Sequence, residues 1–136
     1  MNLLEEGNIL RLDFNKIATI AAKCPDVIPV AVQNADTKEV ILVAYANETA
    51  LKKAVATRTA VFWSTSRNEL WEKGKTSGEM FDLLEIYVNC EQNSLLYIVR
   101  PRKCGICHTK NQNNQARNCY YRRLNPENWE LENIDP

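Results

Sequence analysis

Six runs of four to eight residues, 27–33, 39–44, 60–64, 70–73, 81–88 and 94–100, read as strands and confine this chain to a β-rich fold. In the fifth, Leu84, Ile86 and Val88 alternate with Glu85 and Tyr87, the pattern of a half-buried strand. Asn34-Ala35-Asp36-Thr37 joins the first two runs with turn-forming side chains. Two helices interrupt the series. Residues 15–23 are amphipathic and stop at Cys24-Pro25, because a residue before proline is pushed out of the helical region. Residues 48–57 follow Asn47, a good N-cap, and repeat Ala50, Leu51, Ala54 and Val55 at helical spacing. The expected architecture is mainly β within the α+β class: one antiparallel domain with two peripheral helices. Residues 1–26 form an N-terminal helical segment and 27–124 the domain proper. The polar tail 125–136 is expected to be loose at its end.

A chain of 136 residues suits one hydrophobic core. Its 17 basic and 17 acidic residues cancel, so no global field favours nucleic acid or an anionic membrane. The longest apolar stretches, such as Val40-Ile41-Leu42-Val43-Ala44, are far too short to span a bilayer. Residues 1–11 carry Glu5 and Glu6 and lack the basic, then apolar, pattern of a signal peptide, so a cytoplasmic location is expected.

Four of the five cysteines, Cys90, Cys104, Cys107 and Cys119, fall within 30 residues, and His108 adjoins the third. In a reducing compartment this clustering points to metal binding or catalysis rather than disulfides. Thiolate and imidazole suit zinc: three protein ligands leave a position for water, and four close the site. Cys24 stands apart and reads as a small buried hydrophobe. Asn89, Glu91 and Asn93 alternate around Cys90 at the end of the fifth strand, so an extended chain puts three oxygen-bearing side chains on one face. They are candidates for magnesium, with a plain polar hairpin turn as the alternative. A third group spans Phe62-Trp63-Ser64-Thr65-Ser66-Arg67 and Leu70-Trp71-Glu72-Lys73-Gly74-Lys75-Thr76-Ser77-Gly78. Its hydroxyls and cations suit phosphate, and its indoles suit stacking on a base.

Taken in order, these segments resemble the phosphoribosyl-AMP cyclohydrolases. Val27-Ile28-Pro29-Val30 through Asn34, with Leu42 to Asn47, looks like the family's opening. Phe62-Trp63-Ser64, Ser66-Arg67, Leu70-Trp71, Lys73-Gly74 and Thr76-Ser77-Gly78 match its central signature, and Cys107-His108-Thr109 and Cys119-Tyr120-Tyr121-Arg122 its closing one. The resemblance implies an intertwined homodimer, with active sites at the subunit interface and a nucleotide as substrate. It implies zinc on Cys90, Cys107 and Cys119, with His108 as acid/base. The family's magnesium-binding aspartates carry over to Asn89, Glu91 and Asn93, a weakened magnesium site. Trp63, Ser64, Ser66, Arg67, Trp71, Lys73, Lys75, Thr76 and Ser77 carry over as substrate-binding.

The implied reaction is hydrolysis of 1-(5-phosphoribosyl)-AMP at the N1–C6 bond of its adenine, a step of histidine biosynthesis. Alkylation at N1 makes C6 electrophilic, and zinc brings the pKa of a water toward neutrality. The chain departs from the family in Thr65, Glu79, the extra Cys104 and a longer segment between Cys107 and Cys119. Two alternatives follow: a paralogue acting on another modified purine nucleotide, or a non-catalytic protein whose four cysteines close a structural zinc site. Chain geometry bears on the dimer independently. After Cys90 the strand 94–100 carries the chain outward by roughly 20 Å, and few residues remain to bring Cys107 back. A ligand donated by a second subunit removes that strain.

Overall fold

The computed structural model describes residues 2–75, 78, 80–102 and 109–136. Its elements, in chain order, are α1 (Leu3–Glu6), α2 (Lys16–Lys23), β1 (Ile28–Asn34), β2 (Val40–Ala46), α3 (Glu48–Thr57), β3 (Val61–Ser64), β4 (Glu69–Glu72), β5 (Phe81–Val88), β6 (Leu95–Pro101), β7 (Arg122–Leu124) and β8 (Leu131–Asn133). All six expected strands and both expected helices are present.

Four strands form the central sheet, in the order β2-β1-β6-β5. The β1–β2 and β5–β6 pairs are antiparallel, while β1 and β6, whose paired residues lie 65 positions apart in sequence, run parallel from Val30↔Leu95 to Asn34↔Val99. Residues directly opposite each other share a face. One row, Leu42–Val32–Tyr97–Ile86, looks into the core. The next, Val43–Ala31–Leu96–Tyr87, looks the other way. Over the first face lie α3 and the β3–β4 hairpin. There Phe62 is fully buried, its ring centroid 5.3 Å from Trp71 and 5.7 Å from Tyr97.

Local signals account for the joints. Asn34 Oδ1 accepts from the N–H groups of Asp36 and Thr37 at 2.9 and 3.2 Å and shapes the β1–β2 turn. Asn47 Oδ1 accepts from Ala50 N–H at 3.0 Å and caps α3. Ala50 and Ala54 are buried, and their small side chains let that helix lie close to the strands. Val55, expected on the same face, is 46% exposed.

β5 departs from simple alternation. Its pairing with β6 shifts register between Leu83 and Glu85, so one extra residue enters the strand. The bulge inverts the phase: Leu83 is buried, and Leu84, expected inside, is 42% exposed.

The tail is not loose. β7 and β8 form a hairpin, and the N-terminal segment lies along it through Leu131 N–H to Asn8 O at 2.8 Å and the Ile9↔Glu130 bridge. The polar composition of 125–136 concealed this: the hairpin strands are three residues each, and the pairing with the N-terminal segment is to residues more than a hundred positions away. No helix among the described residues is long and apolar enough to cross a membrane.

Candidate functional site

β5 delivers Cys90 to a tight turn at the far edge of the sheet, where the residue is exposed. Cys119 is exposed at a bend beside the opposite edge, its N–H bonded to Ile41 O at 2.9 Å. Neither forms a disulfide, and Cys24 is buried as expected. Cysteine is among the most buried residue types, so two exposed thiols invite a chemical role. Cys107 and His108, and the extra Cys104, lie outside the described residues. Among the described residues no three metal-ligating side chains come together.

The sheet register explains why. Val88 aligns through Leu95 and Val30 with Ala44, and Cys90 lies two residues beyond that level. Ile41 lies toward the opposite strand end, near Val32 and Gln33. Three strand spacings separate the two edges, and four to five residues separate the two levels, so Cys90 and Cys119 sit roughly 20 Å apart on the diagonal. Two thiolates on one zinc each lie about 2.3 Å from it. Soft, exposed thiolate donors fit zinc chemically, but these two fit one ion only if they come from different copies of the chain.

The turn after β5 is a closed chain of hydrogen bonds. Asn89 Oδ1 accepts from the backbone N–H groups of Asn93 and Ser94, both at 2.9 Å. Its other terminal atom is therefore the amide nitrogen, which donates to Asn93 Oδ1 at 2.6 Å. Asn93 Nδ2 in turn donates to Glu91 Oε2 at 3.3 Å. A magnesium shell needs oxygen atoms turned toward the ion. Here one amide oxygen is spent on the backbone, the other faces an N–H donor, and an N–H stands where a carboxylate would offer its second oxygen. This arrangement does not fit magnesium, and the hairpin-turn reading describes it better.

The central signature forms the β3–β4 hairpin. Ser64 Oγ accepts from Arg67 N–H and Nε–H, both at 3.3 Å, and lies 3.3 Å from Ser66 Oγ. Trp63 Nε1 donates to Asn68 Oδ1 at 3.0 Å. The same oxygen accepts from the Cys24 thiol, and Lys23 Nζ donates to Ser66 O at 2.7 Å, so the end of α2 braces the hairpin. Trp71 pairs with Phe62 across the strands, a core contact. Lys73 Nζ stands 5.1 Å from the centroid of the Phe81 ring. Lys75 pairs with Glu72 at 2.9 Å and Arg67 with Glu69 at 3.3 Å. The Lys75 ammonium holds the Glu72 carboxyl below its ordinary value and is itself raised by it. Thr76 and Ser77 lie outside the described residues.

Beside Cys119 a cleft of about 270 Å³ opens, lined in part by Leu4, Ile9, Leu10, Leu12, Tyr120 and Arg122. Burial pushes the Tyr120 phenol up, and the neighbouring Cys119 and Tyr45 add to the effect. The N-terminal part of this wall was missed from sequence. Residues 8–12 carry no periodic pattern, and only the return of the tail brings them to Cys119.

A mainly β domain with a parallel pair at its centre carries two exposed, chemically soft thiols at opposite corners of its sheet. Residues 42–121 match the phosphoribosyl-AMP cyclohydrolase family, and the chain belongs to that family. A phosphoribosyl-AMP cyclohydrolase of Archaeoglobus fulgidus is 46% identical over 97 residues, 71% of this chain and 84% of the relative. One from Caulobacter vibrioides is 41% identical over 122 residues, 89% of this chain and 78% of its own. A histidine biosynthesis bifunctional protein of Aquifex aeolicus is 39% identical over 116 residues, and the match covers 50% of its length.

Proposed function

We propose that this protein hydrolyses the N1–C6 bond of 1-(5-phosphoribosyl)-AMP, using zinc held by Cys90 of one copy and by Cys107 and Cys119 of a second. The observation that carries the reading is the family match over 42–121, a span that contains all three cysteines and His108. Zinc, when bound, makes water a competent nucleophile at neutral pH. The thiolates of Cys90, Cys107 and Cys119 would hold it. Water adds at C6, the bond to N1 breaks, and the exocyclic nitrogen stays behind as a carboxamide. His108 carries the proton to the departing N1, a task suited to imidazole near neutrality. No step is assigned to magnesium.

On the β3–β4 hairpin, Arg67 and Lys75 offer cations to the substrate phosphates. The Arg67 pair with Glu69 is exposed on both sides and the Lys75 ammonium is exposed, so solvent screens these pairs and exchanging a carboxylate for a phosphate costs little. Ser64 and Ser66 add hydroxyl donors there, with the Trp63 ring next to them in sequence, and the resemblance carries Thr76 and Ser77 over as further hydroxyl donors.

Three features support the homodimer in this reading. The corner-to-corner separation of Cys90 and Cys119 is removed when each site draws on both copies. The outward row Val43–Ala31–Leu96–Tyr87 also presents apolar surface across all four strands, with Val43 48% and Tyr87 53% exposed. The cleft beside Cys119 falls below the roughly 300–1,000 Å³ typical of small-molecule sites, as expected for half a pocket. The thiols that form no disulfide suit a reducing, cytoplasmic setting.

The decisive experiment incubates purified, zinc-loaded protein with phosphoribosyl-AMP and follows formation of the imidazole carboxamide. Turnover should vanish on chelation and return with zinc. A zinc-loaded dimer that leaves the substrate intact would refute the reading.

A further inference from the structure

Among the described residues Arg117 is the largest fully buried side chain, 1% exposed. Its guanidinium lies 3.7 Å from the centroid of the Tyr121 ring. It donates to Glu6 Oε1 at the end of α1, to Thr109 Oγ1 at 3.3 Å and to Asp135 O at 3.0 Å. Burial works against its charge, and the hydrogen bond and charge of Glu6, with Tyr121 and Asp135, outweigh that and hold it above its ordinary value. Tyr121, also buried, donates its hydroxyl to Glu5 O at 2.6 Å and accepts Ile134 N–H on its carbonyl at 2.9 Å. One cation therefore joins the N-terminal helix, the tail, Thr109 and the segment bearing Cys119.

The placement of these anchors matters more than their number. Arg117 and Tyr121 stand two residues before and two residues after Cys119, and both are buried. Between them the chain bends at Cys119, whose side chain is turned to solvent and whose N–H is pinned to β2 through Ile41. Thr109, the third contact, follows Cys107 and His108 directly in sequence. Burying a guanidinium against a partly buried carboxylate is costly, and apolar packing of similar volume commonly serves stability equally well. A planar, five-donor fork does what apolar packing cannot: it sets the relative position of several backbone segments at once.

We propose that Arg117 is a positioning residue for the metal site, holding Cys119, and with it the segment entering at Thr109, in place through Glu6 and Tyr121. The proposal rests on the zinc reading above. A preset donor pays no ordering entropy when the ion arrives, whereas a loosened one does, so affinity falls although no ligand is removed.

The test measures zinc affinity by chelator competition and the visible spectrum of the cobalt(II)-loaded protein, which reports ligand geometry. Arg117→Met and Glu6→Gln are compared with wild type and with Asn47→Ala, which uncaps α3 and removes no hydrogen bond of Arg117, Glu6 or Tyr121. Arg117→Met should lose about tenfold or more in affinity and change the cobalt spectrum. Arg117→Lys, which keeps the charge but not the fork, should recover part of the loss, and Asn47→Ala should leave affinity unchanged. If Arg117→Met does not fold, Glu6→Gln decides, with a loss of several-fold expected. Wild-type affinity and spectrum in folded Arg117→Met, or in Glu6→Gln where that variant decides, would overturn the proposal. So would a parallel loss in Asn47→Ala, which would make the effect one of general stability. A wild-type protein that takes up neither zinc nor cobalt would instead refute the zinc reading, and this proposal with it.

Discussion

Asn89 and Asn93 face each other across the turn after β5, with the Asn89 amide donating to Asn93 Oδ1 at 2.6 Å. The direction of that bond is set by the backbone, since Asn89 Oδ1 already accepts from two N–H groups. An aspartate at 89 would keep those two bonds and turn a second oxygen outward instead of an N–H. Wild-type protein should therefore show no saturable magnesium binding by titration calorimetry. The Asn89→Asp, Asn93→Asp double variant should gain it, because a hard cation prefers charged oxygen. Equal affinities in the two proteins would show that these positions do not meet the metal in either form.

Because Cys90 and Cys119 lie at opposite corners of one sheet, two defective proteins should repair each other. Cys90→Ser and Cys119→Ser are each expected to lose zinc and turnover when alone. In a mixed dimer one site receives both substitutions and the other none. After full subunit exchange of an equal mixture, about a quarter of the sites should be whole. Recovery is read as zinc content and as turnover. None at all, with exchange proven by mass spectrometry, would mean that each site lies within a single chain.

Tyr97 carries its hydroxyl into the core with no hydrogen-bond partner among the described residues, and burial pushes its pKa up to about 12. An unfolded tyrosine ionises near pH 10. Between those values the unfolded chain has lost a proton that the folded chain keeps, so stability falls as pH rises through that window. Denaturant unfolding across pH 9 to about 12 should show the decline, and Tyr97→Phe should flatten Tyr97's share of it. At pH 7 the same variant should gain about 0.5–1 kcal/mol, the stranded hydroxyl being gone. A loss of stability there would reveal an ordered partner for the hydroxyl.

Asn47→Ala removes the side-chain acceptor that caps α3 at 3.0 Å from Ala50 N–H. A loss of about 1 kcal/mol is expected, with zinc content unchanged. Thermal unfolding and metal analysis on the same preparation check both halves of the statement.

What the sequence determined by itself was local. Alternation, spacing and turn chemistry act between residues a few positions apart, and they located six strands, two helices, the Asn34 turn and the Asn47 cap. The family, too, was legible, because the cysteine and tryptophan signatures survive as ordered strings. Even within single elements this reading had limits: one extra residue in β5 moved Leu84 to the surface and Leu83 inside, and no pattern of hydropathy announces a bulge. The rest was decided by tertiary structure. The parallel pairing of β1 with β6 separates Cys90 from Cys119, and Arg117, Tyr121 and Arg122 return to meet Glu6, Glu5 and Gly7 across more than a hundred residues. Such contacts form only once the core has closed the intervening loops, so their energy is collective and leaves no local signature.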